Sequence, residues 1–167
     1  AISRHEFLSQ AALAVGAVPA ATFAFGIISG AHDYTVEHIP LKIKGLPSAF
    51  KGLKIAQISD IHTGSFFNKT AVKGGVEMMM REKADVVFFT GDLVNNESKE
   101  VNNYFDVFNK VKAPLGVFST LGNHDYGDYV RWDSPAAKKQ NLKDLMKAHE
   151  LMGWDLLMDE HRFLEES

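Results

Sequence analysis

The sequence predicts an α/β fold with a parallel sheet. Three short apolar runs, 53–58, 85–90 and 116–121, have the length and composition of strands in a sheet that is covered by other elements. Two segments with apolar residues at helical spacing separate these runs, so strand and helix alternate along the chain. Because such crossovers make the strands parallel, the carboxyl ends of the strands should meet at one edge of the sheet, where ligands bind in this architecture.

The composition restricts the class of protein. With 167 residues, of which 46% are hydrophobic and 23% charged, the chain has enough apolar side chains for one domain with a real core. The net charge of -3 comes from mixed charges without a basic stripe, so nucleic acid is not favoured as a partner. The absence of cysteine excludes disulfides and thiolate metal ligands, which leaves carboxylate, imidazole, amide and water as ligands for any metal.

The N-terminal residues form an apolar segment. Residues 11–31 contain no charged side chain and are long enough to span a bilayer or to form the core of a signal peptide. The preceding residues 3–8 resemble the twin-arginine export signal, with His5 in the place of the second arginine. We therefore expect residues 1–33 to be a signal-like or membrane-anchor segment, and the protein to lie in the cell envelope, membrane-associated or exported. The alternative, a buried Ala-rich helix, is disfavoured by Pro19 and the glycines.

The domain proper is expected to cover residues 34–167 and to begin with extended chain. Residues 34–43 have partial alternation of apolar and polar side chains, and 45–52 form a turn-rich connector before the first strand at 53–58. A helix follows, with Asn68 as N-cap and apolar residues at helical spacing: Val72, Val76, Met79 and Met80.

The alternation of helix and strand continues after the second strand. Residues 101–111 have helical spacing and stop before Pro114, and the strand at 116–121 follows. A further helix is predicted from Ser134 as N-cap, with Pro135 in the first turn, to a C-terminal stop at Gly153. Two short strands are then expected, at 154–158 and 161–164.

A polar cluster follows each of the three main strands. Asp60 and His62 are two residues apart on extended chain, so their side chains point to the same side and suit one metal ion. Asp92 follows a buried strand, where an unpaired carboxylate is costly unless it binds cations; its two oxygens could bridge two ions. Asn123 offers an amide oxygen for a second ion.

His124 and Asp125 complete the third cluster. His124 is expected to face the reacting group, where imidazole stabilises charge or protonates a leaving oxygen, and Asp125 is expected to orient its ring. The remaining histidines of the domain region and its approach are interpreted as structural or surface residues: His32, His38, His149 and His161.

Each cluster alone is common in proteins, but the ordered series D-x-H, G-D-x-x-x-N and G-N-H-D resembles the calcineurin-like metallophosphoesterases over roughly 34–167. Together with the N-terminal head and the connector, it is most similar to the membrane-associated or twin-arginine-exported bacterial phosphodiesterases among them. The resemblance implies a four-layer α/β/β/α sandwich, of which this chain supplies the first sheet and its helices as the N-terminal part of the domain.

The resemblance also implies a site and a reaction. Asp60 and His62 would bind one divalent ion, Asp92 would bridge two, and Asn123 would bind the second. The ions, Mn²⁺, Fe or Zn²⁺, would activate a water whose hydroxide attacks phosphorus, with His124 assisting and Asp125 supporting it. The implied activity is hydrolysis of phosphodiester, phosphomonoester or pyrophosphate bonds in a phosphorylated small molecule or lipid-linked substrate.

One alternative stays open at this point. In the family, further histidine ligands, including a Gly-His-x-His element, are expected beyond Ser167, so the isolated chain should hydrolyse little. The alternative function is a non-catalytic binding module of the same fold, anchored at the membrane. The residues encoded after Ser167 would discriminate the two.

Overall fold

A computed structural model describes residues 3–28 and 30–165. Five positions of the two predicted segments lie outside the described residues. These are 1, 2 and 29 in the predicted anchor segment, and 166 and 167 at the end of the predicted domain. The chain divides into two compact units, Ala1–Thr35 and Val36–Ser167.

The N-terminal unit is mostly one helix, α1, Arg4–Ile28. A short 3-10 turn, Gly30–His32, follows it. Apolar side chains surround the α1 axis rather than forming one stripe, and large ones such as Leu13 and Phe23 are each 73% exposed. The helix is long and apolar enough to cross a membrane, and it lies near the N-terminus, where a signal sequence has the same features.

The second unit is built on a four-stranded parallel sheet. The strands are β1, Ile55–Ile58, β2, Val86–Phe89, β3, Val117–Ser119, and β4, Asp155–Leu156. They are neighbours in sequence order, and every adjacent pair is parallel. This confirms the α/β fold with a parallel sheet, because each of the three long apolar runs contains one of the strands β1 to β3.

Three α-helices cross over between or beside the strands: α2, Lys69–Arg81, α3, Phe105–Phe108, and α4, Pro135–Met152. The predicted caps are present. The Asn68 side chain accepts a hydrogen bond from the Ala71 N–H at 3.1 Å, and the Ser134 hydroxyl accepts one from the Ala137 N–H at 3.1 Å. Gly153 ends α4 with a φ of 76°, a conformation that glycine adopts without a Cβ penalty.

Three predicted elements differ in the structure. The segment 101–111 contains the end of a 3-10 helix, Ser98–Tyr104, and the single turn of α3. Its start is fixed by a capping box between Glu97 and Glu100. Residues 161–164 form no strand, because they pair with no other segment within the part of the chain that the structure describes. The predicted strand 154–158 is shortened to β4, Asp155–Leu156.

The core lies on one face of the sheet. Parallel register places Ala56 and Ile58 on the same face as Val87 and Phe89, where α2, α3 and α4 pack. The helices contribute buried residues to this face: Val72, Val107, Phe108, Leu145 and Met152. Because the helices hold the sheet from this side, the loops at the carboxyl ends of the strands are fixed relative to one another.

Candidate metal centre

The first two polar clusters are joined by backbone hydrogen bonds beyond the ends of β1 and β2. Asp60 N–H donates to the Gly91 carbonyl at 3.0 Å, and His62 N–H donates to the Asp92 carbonyl at 3.0 Å. The parallel pairing therefore continues into the loops, although the regular strands have ended. Side chains that are about 30 positions apart in the sequence are thereby held side by side.

The same loops contain unusual backbone conformations. Asp60, His62 and Asp92 have φ values of 50°, 48° and 60°, in the left-handed region that side chains with a Cβ seldom adopt. Such conformations cost about 1–3 kcal/mol each and concentrate at functional sites. Three of the five residues with a Cβ and a positive φ in the described chain are thus predicted metal ligands.

Three side chains with atoms able to bind a metal ion converge at this point. Ligand atoms of His62, Asp92 and His124 all lie within 4.8 Å of one another. The His62 Nε2 atom lies 3.8 Å from Asp92 Oδ2, and the rings of His62 and His124 meet edge to face at 4.7 Å. Two ligands on one ion, with bonds of about 2.0–2.2 Å, lie roughly 3–4 Å apart, so this nitrogen and oxygen set fits a divalent ion such as Mn²⁺, Fe or Zn²⁺.

Asp92 is the centre of this group. Its carboxylate is buried; Oδ1 accepts a hydrogen bond from His124 N–H at 2.8 Å, while Oδ2 is the oxygen that faces His62. The backbone of the loop after β2, which carries Asp92, lies in contact with the backbone of the loop after β3. A Cβ on Gly122 would lie 2.6 Å from Asp92 N, and one on Gly91 would lie 2.5 Å from Gly122 N. Glycine at both positions therefore permits the approach.

Asp125 is fully buried and holds the two loops together. Its carboxylate accepts four backbone N–H groups, from Asp92 at 2.9 Å, Leu93 at 2.8 Å, Val94 at 3.2 Å and Gly122 at 2.9 Å. Burial raises the pKa of the Asp125 carboxyl, and these donors act to lower it. The structure thus corrects the expected contact with the His124 ring: Asp125 supports the site through the backbone.

The His124 ring is oriented by a backbone carbonyl instead. Its Nδ1 lies 2.8 Å from the Asn95 carbonyl oxygen, and since that oxygen only accepts, Nδ1 carries a proton and Nε2 is left for another partner. Glu100 fixes this loop, because its carboxylate accepts the N–H groups of Asn95, Asn96 and Glu97 at 2.6, 3.1 and 2.9 Å.

The sequence-based prediction assigned no role to Asn95 or Glu100. The spacing of Glu97 and Glu100 is that of a capping box, and this was the available signal for a fixed loop at this position. No sequence signal identifies the Asn95 carbonyl, because any residue type supplies one.

Asp60 and Asn123 lie at the rim of the site. Both side chains are exposed, and Asp60 is not part of the converging group of His62, Asp92 and His124. The Asn123 amide donates from Nδ2 to the Tyr129 hydroxyl at 2.6 Å, and the Tyr129 ring stacks on His124. Tyr129 is a further residue that the motif pattern did not reveal.

The other histidines lie in different surroundings. His149 is fully buried with its Nδ1 3.0 Å from the Ser119 hydroxyl, and burial lowers its pKa from 6.5 to about 4. His161 is exposed, His38 lies 3.3 Å from Glu82, and His32 lies 3.3 Å from the Tyr34 hydroxyl. None of the four belongs to the converging group found in the described chain.

Comparison with known proteins places this geometry in a family. Residues 53–164, well over half of the chain, match the calcineurin-like phosphoesterases, and the matched range contains all three polar clusters. The chain belongs to the calcineurin-like phosphoesterase family. This confirms the resemblance drawn from the three motifs. Calcineurin-like phosphoesterases use divalent metal ions, in agreement with the ligand types of the converging group.

Relatives of this calcineurin-like phosphoesterase come from bacteria and vertebrates. It is 31% identical over 77% of its length to the metallophosphoesterase YkuE of Bacillus subtilis, covering 46% of that protein. It is 27% identical over 65% of its length to a transmembrane protein with metallophosphoesterase domain of Danio rerio, covering 25% of it. It is 37% identical over 53% of its length to the UDP-2,3-diacylglucosamine pyrophosphatase LpxG of Chlamydia muridarum, covering 28% of it. The chain thus spans less than half the length of these relatives.

Proposed function

We propose that the protein is a metal-dependent hydrolase of phosphoric esters. The observation that carries this proposal is the convergence of His62, Asp92 and His124 ligand atoms within 4.8 Å at the carboxyl ends of the parallel strands. Family membership supports it, because the matched residues include this site.

The proposed roles follow the ligand chemistry of each side chain. Asp60 and His62 would hold one divalent ion, Asp92 would be shared with a second, and the amide oxygen of Asn123 would hold the second. When bound, the ions would supply Lewis acidity and a water of lowered pKa. Asp92 suits the bridging role because its two oxygens already face different neighbours, His124 N–H and His62 Nε2.

His124 has a proposed role in catalysis, because its ring can contact the substrate. Its Nδ1–H is held by the Asn95 carbonyl, which leaves Nε2 for the substrate. In the doubly protonated ring, Nε2–H gives its proton to the leaving oxygen or donates a hydrogen bond to the phosphoryl group. Asn95 and Glu100 therefore determine the direction in which the working nitrogen points.

The proposed substrates are phosphodiester, phosphomonoester or pyrophosphate bonds of a phosphorylated small molecule or a lipid-linked compound. The name of the Chlamydia muridarum relative, a UDP-2,3-diacylglucosamine pyrophosphatase, supports the pyrophosphate and lipid-linked classes. The net charge of -3 gives no support to a nucleic acid substrate.

We further propose that α1 attaches the protein to a membrane of the cell envelope. Residues Arg4–Gly26 have a mean hydropathy of 1.5 over a window that is not buried in the protein. At 1.5 Å per residue, this stretch reaches roughly 34 Å, enough for a hydrocarbon layer of about 30 Å. The Danio rerio relative is named as a transmembrane protein, which supports this location.

The function is tested by hydrolysis with the full-length protein. The assay compares bis(p-nitrophenyl) phosphate, p-nitrophenyl phosphate and a UDP-sugar pyrophosphate, each with Mn²⁺ and after EDTA. We expect turnover that EDTA abolishes and Mn²⁺ restores. An Asp92→Asn variant removes one anionic oxygen at the centre of the site, and we expect it to lose roughly a hundredfold or more in kcat/KM.

The matched control is Asp144→Asn, which changes an exposed carboxylate on α4 in the same way and should leave turnover unchanged. Equal activity of Asp92→Asn and wild type, or activity that survives metal removal, would disprove the hydrolase proposal. A protein that binds Mn²⁺ but hydrolyses none of the three substrates would favour the non-catalytic binding module.

A further inference from the structure

Tyr129 contacts two of the proposed site residues at once. Its hydroxyl accepts a hydrogen bond from Asn123 Nδ2 at 2.6 Å, and its ring stacks on His124 with centroids 4.5 Å apart and planes 27° from parallel. Tyr129 is 61% exposed and is not a member of the buried apolar core in the described residues. Its contacts therefore hold Asn123 and His124 at the candidate metal centre and do not contribute to the packing of the sheet.

The Asn123 amide is oriented with its Nδ2 toward the Tyr129 hydroxyl. An asparagine side chain carries an oxygen that binds cations and an NH₂ group that does not, and rotation about the last bond exchanges the two. Because Asn123 is exposed, the core does not restrict this rotation. With Nδ2 donating to Tyr129, the NH₂ group is occupied and Oδ1 is left as the free ligand atom.

The stacking fixes the plane of the His124 ring. The hydrogen bond from Nδ1 to the Asn95 carbonyl at 2.8 Å is a single contact, about which the ring could still tilt. The Tyr129 ring covers one face, and His62 meets the ring edge to face at 4.7 Å. Together these contacts determine where His124 Nε2 points.

We infer that Tyr129 is a positioning residue with two separable parts, an inference that rests on the proposed function. The hydroxyl prepares Asn123 for metal binding, and the aromatic ring orients His124 for its action on substrate. Removing the hydroxyl alone should thus weaken metal binding, whereas removing the ring should also lower the rate at saturating metal.

The test uses three variants of the full-length protein. Tyr129→Phe removes the hydroxyl and keeps the ring, and Tyr129→Ala removes both. Tyr126→Phe is the matched control, since Tyr126 is 41% exposed in the 3-10 turn His124–Tyr126 and, among the described residues, its side chain has no hydrogen bond or ring contact with the site. Mn²⁺ affinity of the metal-free protein is measured by calorimetry. The kcat and KM values for bis(p-nitrophenyl) phosphate are measured at saturating Mn²⁺, and Tm values of the metal-free forms are compared.

For Tyr129→Phe we expect Mn²⁺ affinity to fall roughly tenfold, with kcat at saturating Mn²⁺ and the Tm close to wild type. For Tyr129→Ala we expect the same loss of affinity and, in addition, a roughly tenfold lower kcat that Tyr129→Phe does not show. Unchanged Mn²⁺ affinity in Tyr129→Phe, or equal kcat values in the two variants, would overturn the inference. If the Tyr129 results fail in this way while wild type binds Mn²⁺ and hydrolyses substrate, only the inference about Tyr129 is wrong and the proposed function remains. If wild type neither binds Mn²⁺ nor hydrolyses substrate, the proposed function is wrong as well.

Discussion

His124 and His149 show how the surroundings of one residue type determine its chemistry. His124 is half-buried at the rim of the site, with Nδ1 held by a carbonyl and Nε2 left for a partner. His149 is enclosed by Phe89, Trp154 and Ser119, and its Nε2 is buried without a hydrogen-bond partner among the described residues. Burial lowers the pKa of His149 to about 4, so this ring is neutral at pH 7.

The buried His149 should make the protein sensitive to mild acid. Its pKa is about 4 in the folded state and 6.5 as the unperturbed value. Above pH 6.5 both states are neutral and the full stability is present; between pH 6.5 and 4 only the unfolded state gains the proton. We expect a loss of about 2 kcal/mol from this residue between pH 7.5 and 5, measured by urea unfolding in EDTA.

A His149→Gln variant, which keeps an amide near Ser119 but does not ionise, should be less stable at pH 7.5 and lose less stability on acidification. His161→Gln changes an exposed histidine and should behave as wild type. Identical pH dependence in His149→Gln and wild type would contradict the assignment.

At the level of elements, α4 has the clearest boundaries in the chain. It begins after the Ser134 cap with Pro135 in the first turn, and it ends at Gly153, whose backbone is left-handed. It also supplies Leu145, Ala148 and Met152 to the core. Its position therefore affects the sheet whose loops carry the metal centre.

The Ser134 cap gives a stability prediction. Its hydroxyl satisfies the Ala137 N–H at 3.1 Å, so Ser134→Ala should cost about 1 kcal/mol of unfolding free energy, or about 2–4 °C in Tm. Ser134→Asn keeps an acceptor at this position and should remain within a few tenths of a kcal/mol of wild type. Differential scanning calorimetry decides: an alanine variant as stable as the asparagine variant would show that the cap contributes nothing.

The 3-10 helix Ser98–Tyr104 is the element that sequence periodicity described least well. Its apolar spacing predicted an α-helix over 101–111, and the buried Val101 and Tyr104 do face the core as that spacing requires. Glu100 fixes where this helix begins, because its carboxylate accepts the N–H groups of Asn95, Asn96 and Glu97. Periodicity reports which side is buried, whereas the hydrogen-bond pattern decides the type of helix.

At the scale of the whole molecule, the proposed membrane attachment by α1 gives a prediction about location. If α1 spans a bilayer, the full-length protein should stay in the membrane fraction after an alkaline carbonate wash, because apolar burial does not depend on pH or salt. A variant lacking residues 1–31 should be released into the soluble fraction. An N-terminal tag that is lost from the mature protein would show that the segment is a cleaved signal instead.

A pair of substitutions at one position of α1 provides a matched comparison for this experiment. Leu13 is 73% exposed near the middle of α1, and Leu13→Arg should impair insertion, since arginine at a helix centre costs about 2.5–3.5 kcal/mol. Leu13→Ile should behave as wild type. Equal membrane retention of the arginine and isoleucine variants, or of the variant lacking residues 1–31, would disprove anchoring by α1.

The sequence by itself determined the alternation of strands and helices, the caps of α2 and α4, and the ligand types after each strand, because these depend on local periodicity and side-chain chemistry. Only the tertiary structure decided that Asp125 holds the backbone, that the Asn95 carbonyl orients His124, and that Tyr129 joins Asn123 to His124. The Asn95 and His124 partners are 29 positions apart. Their meeting depends on strand register and on loop backbones with positive φ, and the spacing of residues in the sequence specifies neither.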